Sequence, residues 1–230
     1  MSENGLGTVI ISGGASGLGA AIASAVAEAG GVPVVFDVRE PRNGFERHTV
    51  DVSDRAATEA AVAAVAERHD GVDAVVTSAA IDACGPFDEV DGDSWERVVR
   101  VNLLGTAAMV RAALPHLMRS HGRVVTVGST LGLRGAAGAT AYCASKFGII
   151  GFTRALAADT AGRIGVTCLV PGGMSTSFFD GREEKYRPAP EQQLNRPEDV
   201  AQAALFALRQ PRGCEVRELL ITPAVEPSWP

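Results

Sequence analysis

The run Ser12-Gly13-Gly14-Ala15-Ser16-Gly17-Leu18-Gly19 constrains this chain more than any other segment, because it joins a strand-like stretch, residues 8–11, to an Ala-rich helical one, residues 20–29. Glycines in a strand-to-helix turn let the backbone come close to a bound group. The helix that follows aims free N–H groups and a partial positive charge at that group. Such a turn is a ready anion site, and a pyrophosphate matches it.

The rest of the chain continues the same alternation. Short apolar runs at residues 32–36, 74–77, 123–127, 166–170 and 218–221 read as strands, with Ala-rich amphipathic stretches between them. Runs such as Val9-Ile10-Ile11 and Val124-Val125 are continuously apolar, as strands of a parallel sheet covered on both faces must be. The expected architecture is α/β: one domain with a doubly wound parallel sheet in a three-layer αβα sandwich. Asp54 is placed to cap the helix running to Arg68, Ser94 to cap one starting at Trp95, and Pro197 to open another after Arg196. The segment after residue 222 reads as a short Pro-bearing terminus.

The second strand leads into Asp37, roughly 20 residues beyond the turn, where a carboxylate accepts hydrogen bonds from the hydroxyls of an adenosine ribose. A 2′-phosphate would meet a like charge there, and the turn itself holds no Lys or Arg. NAD(H) is therefore favoured over NADP(H), with Arg39 the nearby residue that argues the other way. An ordinary turn carboxylate is the alternative for Asp37, but it leaves the pairing with the glycine turn unexplained.

Tyr142 and Lys146 lie one helical turn apart on the helical stretch 141–161, so their side chains share a face. An ammonium beside a phenol favours the phenolate and brings the hydroxyl towards useful acid–base chemistry. The spacing alone is common on exposed helices. Ser129 follows the strand at 123–127 and so falls at the carboxyl edge of the sheet, where ligands of open α/β folds bind. Asn102 stands in an otherwise apolar helical stretch, where a buried amide needs partners, either to tie backbone together or as part of a site.

Taken together, Gly13-x-x-x-Gly17-x-Gly19, Asn102, Ser129 and Tyr142-x-x-x-Lys146 resemble the short-chain dehydrogenase/reductase family in its single-domain branch. Order and spacing match from Thr8 to the Arg196-Pro197-Glu198-Asp199-Val200-Ala201 segment. The resemblance implies a Rossmann fold and an enzyme that interconverts a secondary alcohol and a ketone with NAD(H), with no metal required. It implies that Tyr142 exchanges a proton with the substrate oxygen and that Ser129 hydrogen-bonds the same oxygen. Lys146 would hold the nicotinamide ribose, and Asn102 a water linking Lys146 to solvent. Ser12, Gly13, Ser16, Gly17, Leu18 and Gly19 would cradle the pyrophosphate, with Asp37 and Val38 at the adenosine ribose and Asp51 and Val52 at the adenine. Ser78, Ala79 and Ala80 would lie beside the cofactor ribose, and Pro171, Gly172, Met174 and Thr176 along the nicotinamide.

Two places depart from the family pattern. Thr77-Ser78-Ala79-Ala80 replaces the usual Asn-Asn-Ala-Gly, so Ala80 adds a methyl group beside the cofactor or its supporting backbone. The last strand also lacks the Asp-Gly-Gly type turn that contributes to tetramer packing, which leaves a dimer through the paired long helices as the firmer form of a homo-oligomer. Residues 177–195 stand where the family has a substrate lid, with Phe178, Phe179 and Tyr186 as an apolar wall. Arg182, Lys185 and Arg187 either bind an anionic substrate or, mixed as they are with Glu183 and Glu184, form a solvated face. Leu131, Leu133 and Cys143 are candidates for the opposite wall. Binding of NAD without turnover, as in a sensor or scaffold, is the competing reading, and an epimerase or dehydratase that recycles its cofactor is a third.

Composition narrows the partners. With a formal charge of −6 over 230 residues and no basic cluster, the chain does not read as a nucleic-acid binder. It lacks roughly 20 uninterrupted apolar residues and a signal-like start, so no membrane partner and a cytoplasmic location are expected. Cys84, Cys143, Cys168 and Cys214 are scattered without metal-ligand spacing and read as reduced thiols.

Overall fold

The computed structural model describes residues 5–40 and 44–229. Seven strands form one sheet in the order β3-β2-β1-β4-β5-β6-β7, and every neighbouring pair is parallel. They are β1 (Thr8–Ser12), β2 (Val32–Asp37), β3 (Glu46–Thr49), β4 (Ala74–Thr77), β5 (Arg123–Val127), β6 (Gly165–Pro171) and β7 (Glu218–Ile221). The helices are α1 (Gly17–Glu28), α2 (Arg55–Arg68), α3 (Gly92–Val99), α4 (Gly105–Ser120), α5 (Thr140–Asp159) and α6 (Pro197–Leu208).

Alternation along each strand divides the core in two. Val9 and Ile11 face α1 and α6, packing with Ile22, Val26, Val200 and Ala204. Ile10 faces α2 and α4, packing with Val62, Val65, Met109 and Leu117. All three β1 side chains are completely buried, each worth roughly 1.5–3 kcal/mol of removed apolar surface. A strand apolar at consecutive positions is thus the direct consequence of having helices on both sides.

β1 and β4 are neighbours, so the chain winds outward in both directions from that pair. The carboxyl ends of these two strands form the crevice in which open α/β sheets bind ligands. The glycine turn leaves β1 there, and residues 78–80 leave β4 beside it.

The strand at Glu46–Thr49 was not expected from the sequence. It is polar, with charged and hydroxyl side chains, and pairs with β2 at the sheet edge, where one flank needs no apolar partner. Helix α3 begins three residues earlier than expected. Its cap is Asp91, whose carboxylate accepts from the Ser94 N–H at 2.9 Å, so Ser94 belongs to the first turn and is not the cap. Asp54 caps α2 as expected, accepting from Ala57 N, and α6 opens at Pro197. The helical run Gly92–Ser120 is long and apolar enough, by length and composition, to cross a membrane, but half of its apolar window is buried inside the protein.

Candidate active site

The glycine turn is built by close backbone approach. Gly13 and Gly17 have positive φ values of 70° and 53°, which side chains resist. A Cβ on Gly19 would come within 2.3 Å of the Gly13 carbonyl oxygen, and one on Gly13 within 2.8 Å of the Ala79 backbone. The turn therefore lies tight against the β4 exit, where Ala79 N also donates to Ser12 Oγ at 3.2 Å. α1 starts with Ser16 as its cap, the Ser16 side chain makes no capping bond, and the first helical turn carries no acid. Its free N–H groups and positive end are those of an anion cradle. Leu18 is buried in the core below, so only its backbone is on offer to a ligand. A groove of about 780 Å³ runs from this turn past Arg39 to Thr176 and Ser177.

Asp37 is buried at the end of β2 and its two oxygens are already engaged. Oδ2 accepts from Ala15 N at 3.0 Å and Oδ1 from Arg39 N at 2.9 Å. The carboxylate thus ties the glycine turn to the second strand, a structural link that the sequence did not show. Arg39 extends over the turn, donating from Nη2 to Ser16 Oγ at 2.8 Å while its Nε lies 3.7 Å from Asp37. Val38, 59% exposed, leaves an apolar side chain open beside this corner. Asp51 accepts from both the backbone and the hydroxyl of Ser53 and from Arg97, and the Ser53 hydroxyl is the main cause holding its carboxyl below the usual range. Val52 is buried under the start of α4, where a Cβ on Gly105 would strike it.

The phenol and ammonium face each other across one turn of α5, with Lys146 Nζ 5.5 Å from the Tyr142 ring centre. Lys146 is fully enclosed and donates to Val127 O at 2.8 Å, the last carbonyl of β5. Burial pulls its pKa down to about 8, with Cys168 and Asp82 acting in the other direction. Burial likewise pushes the Tyr142 phenol above its ordinary range, and the Ser129 hydroxyl offsets part of that rise. Ser129 caps the short turn Thr130–Gly132, its oxygen accepting from Leu131 N at 3.1 Å.

Asn102 lies in a π-helical turn, Arg100–Leu104, between α3 and α4. Such turns bulge a helix locally and are frequent at functional sites. Its Oδ1 accepts from Ile81 N at 2.9 Å, and its Nδ2 donates to Ile81 O and to Ser145 Oγ, each at 3.0 Å. The amide therefore joins the β4 exit to the residue before Lys146, which is the backbone-tying role that its burial suggested. Among the described residues, Thr77 Oγ1 is buried at the same exit with no hydrogen-bond partner.

The loop after β6 closes the other side. Pro171 ends the strand, Gly172 N donates to Ile221 O, and the Thr176 side chain lies 3.4 Å from where a Gly17 Cβ would stand. Residues 176–194 form an excursion whose base is pinned by the Met174–Asn195 bridge, with Ser175 N donating to Asn195 O and Asn195 N to Gly173 O. Two features here were not foreseen from sequence. The C-terminal segment folds back, Glu226 accepting from Gly173 N at 2.8 Å and the Ser228 and Thr130 hydroxyls meeting at 2.6 Å. Within the excursion, Phe178 packs on Tyr142 with ring centres 5.6 Å apart, and Arg182 turns inward to Asp82 at 3.0 Å. Lys185 stays on the exposed side, paired with Glu183.

Comparison with known proteins agrees with this fold. Residues 7–187 match the family profile described as short chain dehydrogenase. The subunit BbsD of (2S)-[(R)-hydroxy(phenyl)methyl]succinyl-CoA dehydrogenase from Thauera aromatica is 31% identical, covering 92% of each chain. Glycine betaine reductase ATRR of Emericella nidulans is also 31% identical over 95% of this chain, which spans only 19% of that longer protein. Among solved structures, an alcohol dehydrogenase from the archaeon Thermococcus sibiricus, complexed with 5-hydroxy-NADP, superposes with a TM-score of 0.83 at 24% identity, covering 93% of this chain and 95% of the other. With its doubly wound parallel sheet, its glycine turn at the switch point and a match over most of its length, this chain belongs to the short-chain dehydrogenase family.

Proposed function

We propose that this chain is an NAD(H)-dependent oxidoreductase that interconverts a secondary alcohol and a ketone, with Tyr142 as the proton-transferring residue. The observation that carries this reading is the grouping of Tyr142 with the Ser129 hydroxyl and the Lys146 ammonium at the carboxyl end of β5. The residues present suit a dinucleotide: the cradle at Gly13–Gly19 for its pyrophosphate, Asp37 and Val38 for its adenosine, and Lys146 and Thr176 for its nicotinamide half. A bound nicotinamide supplies the hydride acceptor or donor.

The protein's own work is proton transfer and orientation. Tyr142, its phenol held protonated by burial, gives that proton to a carbonyl oxygen in the reducing direction and takes it back from the alcohol in the other. Ser129 donates to the same oxygen and keeps it in reach. Lys146, fixed by Val127 O, places a positive charge beside the phenol and so favours phenolate whenever the ammonium is protonated. Asn102 positions Ser145 and hence the helix turn that carries Lys146.

Leu104 and Phe147 are 56% and 47% exposed on the π turn and α5, an apolar face suited to a second copy of the chain, in keeping with a homo-oligomer. NADH binding followed by fluorescence, then an absorbance screen over secondary alcohols, hydroxyacyl esters and sugars, tests the reading. Tyr142→Phe is expected to reduce turnover by about 10²–10⁴-fold while NADH still binds. NADH binding with no Tyr142-dependent turnover across the screen is the result that favours a sensor or scaffold instead.

A further inference from the structure

Close to Tyr142, beyond Phe178, stands an ion pair that the proton transfer does not use. Asp82 leaves β4 and Arg182 enters from the excursion after β6, 100 positions along the chain. Their side chains are only 8% and 15% exposed. The two partners are not equally satisfied. Asp82 Oδ1 accepts from Ala83 N at 2.8 Å, and Oδ2 accepts from the Cys84 thiol at 3.2 Å as well as facing Arg182. Arg182 Nη2 is 3.0 Å from Asp82 Oδ2, yet the approach lacks hydrogen-bond geometry, and among the described residues this buried nitrogen has no hydrogen-bond partner.

The guanidinium is held in place by other means. Its carbon lies 4.6 Å from the Phe178 ring centre and 4.8 Å from that of Phe179. Aromatic faces fix the plane of an arginine without using its N–H donors. Phe178 in turn packs on Tyr142, so the charged group stands one phenyl ring from the phenol. A largely enclosed arginine with five donors, a single poorly aligned carboxylate and two aromatic supports is a preorganised receptor for a planar anion. Burial of such a charge is costly unless something completes its hydrogen bonds.

We infer that Arg182 is a substrate-specificity residue, and that the preferred substrate carries a carboxylate, a short carbon chain away from the carbinol that Tyr142 serves. The hydroxy acid is oxidised to the oxo acid: its carbinol hydride passes to the oxidised nicotinamide and its hydroxyl proton to the phenolate form of Tyr142, while the carboxylate stays unchanged on Arg182. The assignment rests on the dehydrogenase reading for its chemistry, but the anion site itself does not. Asp82 balances the charge of the guanidinium when no substrate carboxylate is present.

The test compares α-, β- and γ-hydroxybutanoates and hydroxypentanoates with their amides, which match them in shape but lack the charge. For at least one acid, kcat/KM is expected to exceed that of its amide by about tenfold or more, equivalent to 1.4 kcal/mol. Arg182→Gln is expected to bring that ratio close to one, Asp82→Asn to leave it intact or raise it, and Lys185→Gln, on the exposed side, to leave it where it was. Thermal melts check that each variant is folded. A wild-type ratio near one for every pair, or a preference that survives Arg182→Gln, overturns the proposal.

Calorimetric titration of the same acids and amides, with and without NADH, separates this proposal from the dehydrogenase reading. Carboxylate binding that Arg182→Gln abolishes, in a chain without turnover, keeps the anion site and removes the enzyme. Turnover of neutral alcohols with no acid preference does the reverse.

Discussion

Replacing Asp37 by Asn asks whether that carboxylate selects the cofactor by charge or merely fastens the glycine turn. Two backbone N–H groups, of Ala15 and Arg39, donate to its separate oxygens. An amide keeps one acceptor and turns its NH₂ on the other donor. One charge-assisted bond is lost and a donor is left facing a donor, which costs about 2 kcal/mol of folding stability. The effect on selectivity is larger. A 2′-phosphate within about 5 Å of the carboxylate feels roughly 3 kcal/mol of repulsion per unit charge at an effective dielectric of about 20. Arg39, 3.7 Å from Asp37 and reaching Ser16, already offsets part of this, and solvent screens more. A net gain of about 2–3 kcal/mol for NADPH follows, or roughly 30- to 150-fold in the ratio of NADPH to NADH affinity. Fluorescence titration with both cofactors measures the ratio, and urea denaturation measures the stability. If stability falls as calculated while the ratio moves by less than about threefold, Asp37 is a structural tie only and the electrostatic argument fails. Tighter binding of NADPH than NADH by the unaltered chain refutes it at once.

Three further outcomes are expected. Burial lowers Lys146 in the folded chain from the ordinary 10.5 to about 8, so the unfolded chain binds more protons between those values. The stability that this group contributes is therefore full above 10.5 and is lost as the pH falls through about 8, and Lys146→Met should abolish that slope in urea denaturation series run without cofactor between about pH 7 and pH 10.5. Gly19→Ala sets a methyl 2.3 Å from the Gly13 carbonyl and should cost about 1–3 kcal/mol of stability, together with at least a tenfold loss of NADH affinity. An unshifted melt and unchanged affinity would show that the turn has slack. Phe147→Glu charges the exposed apolar face of α5 and should reduce the sedimenting species to a monomer; a wild-type chain that already sediments as a monomer refutes the homo-oligomer.

What could be read from the sequence was whatever is local. The strands at Ala74–Thr77, Arg123–Val127 and Glu218–Ile221 have the bounds expected, because each is a short apolar run cut off by turn residues. The polar strand Glu46–Thr49 carries no such signal, since an edge strand is defined by its neighbour's open hydrogen bonds and not by its own side chains. The same division runs through the site. The glycine turn, and the pair Tyr142 and Lys146, are fixed by spacing along one element. Asn102 was visible as an amide in an apolar stretch, but its partners Ile81 and Ser145 were not.

Arg182 shows most clearly what the sequence left undecided. In the sequence it belongs to a mixed-charge run with two fates, anion-binding or, the one such a run favours, solvated. In the fold, Lys185 takes the solvated role beside Glu183, and Arg182 turns inward to Asp82, Phe178 and Phe179. Likewise Asp37 and Glu226 acquire their ties to Ala15 and Gly173 only when distant strands bring those backbones alongside. The sequence by itself determined the doubly wound sheet, the glycine turn that leaves its first strand and the pairing of Tyr142 with Lys146 on one helix face, because periodicity and helical spacing are properties of neighbouring residues. The tertiary structure alone decided which charges are buried, what they face and what closes the site. Those depend on contacts across 22 to 100 positions, whose energies are set by burial and geometry rather than by residue type.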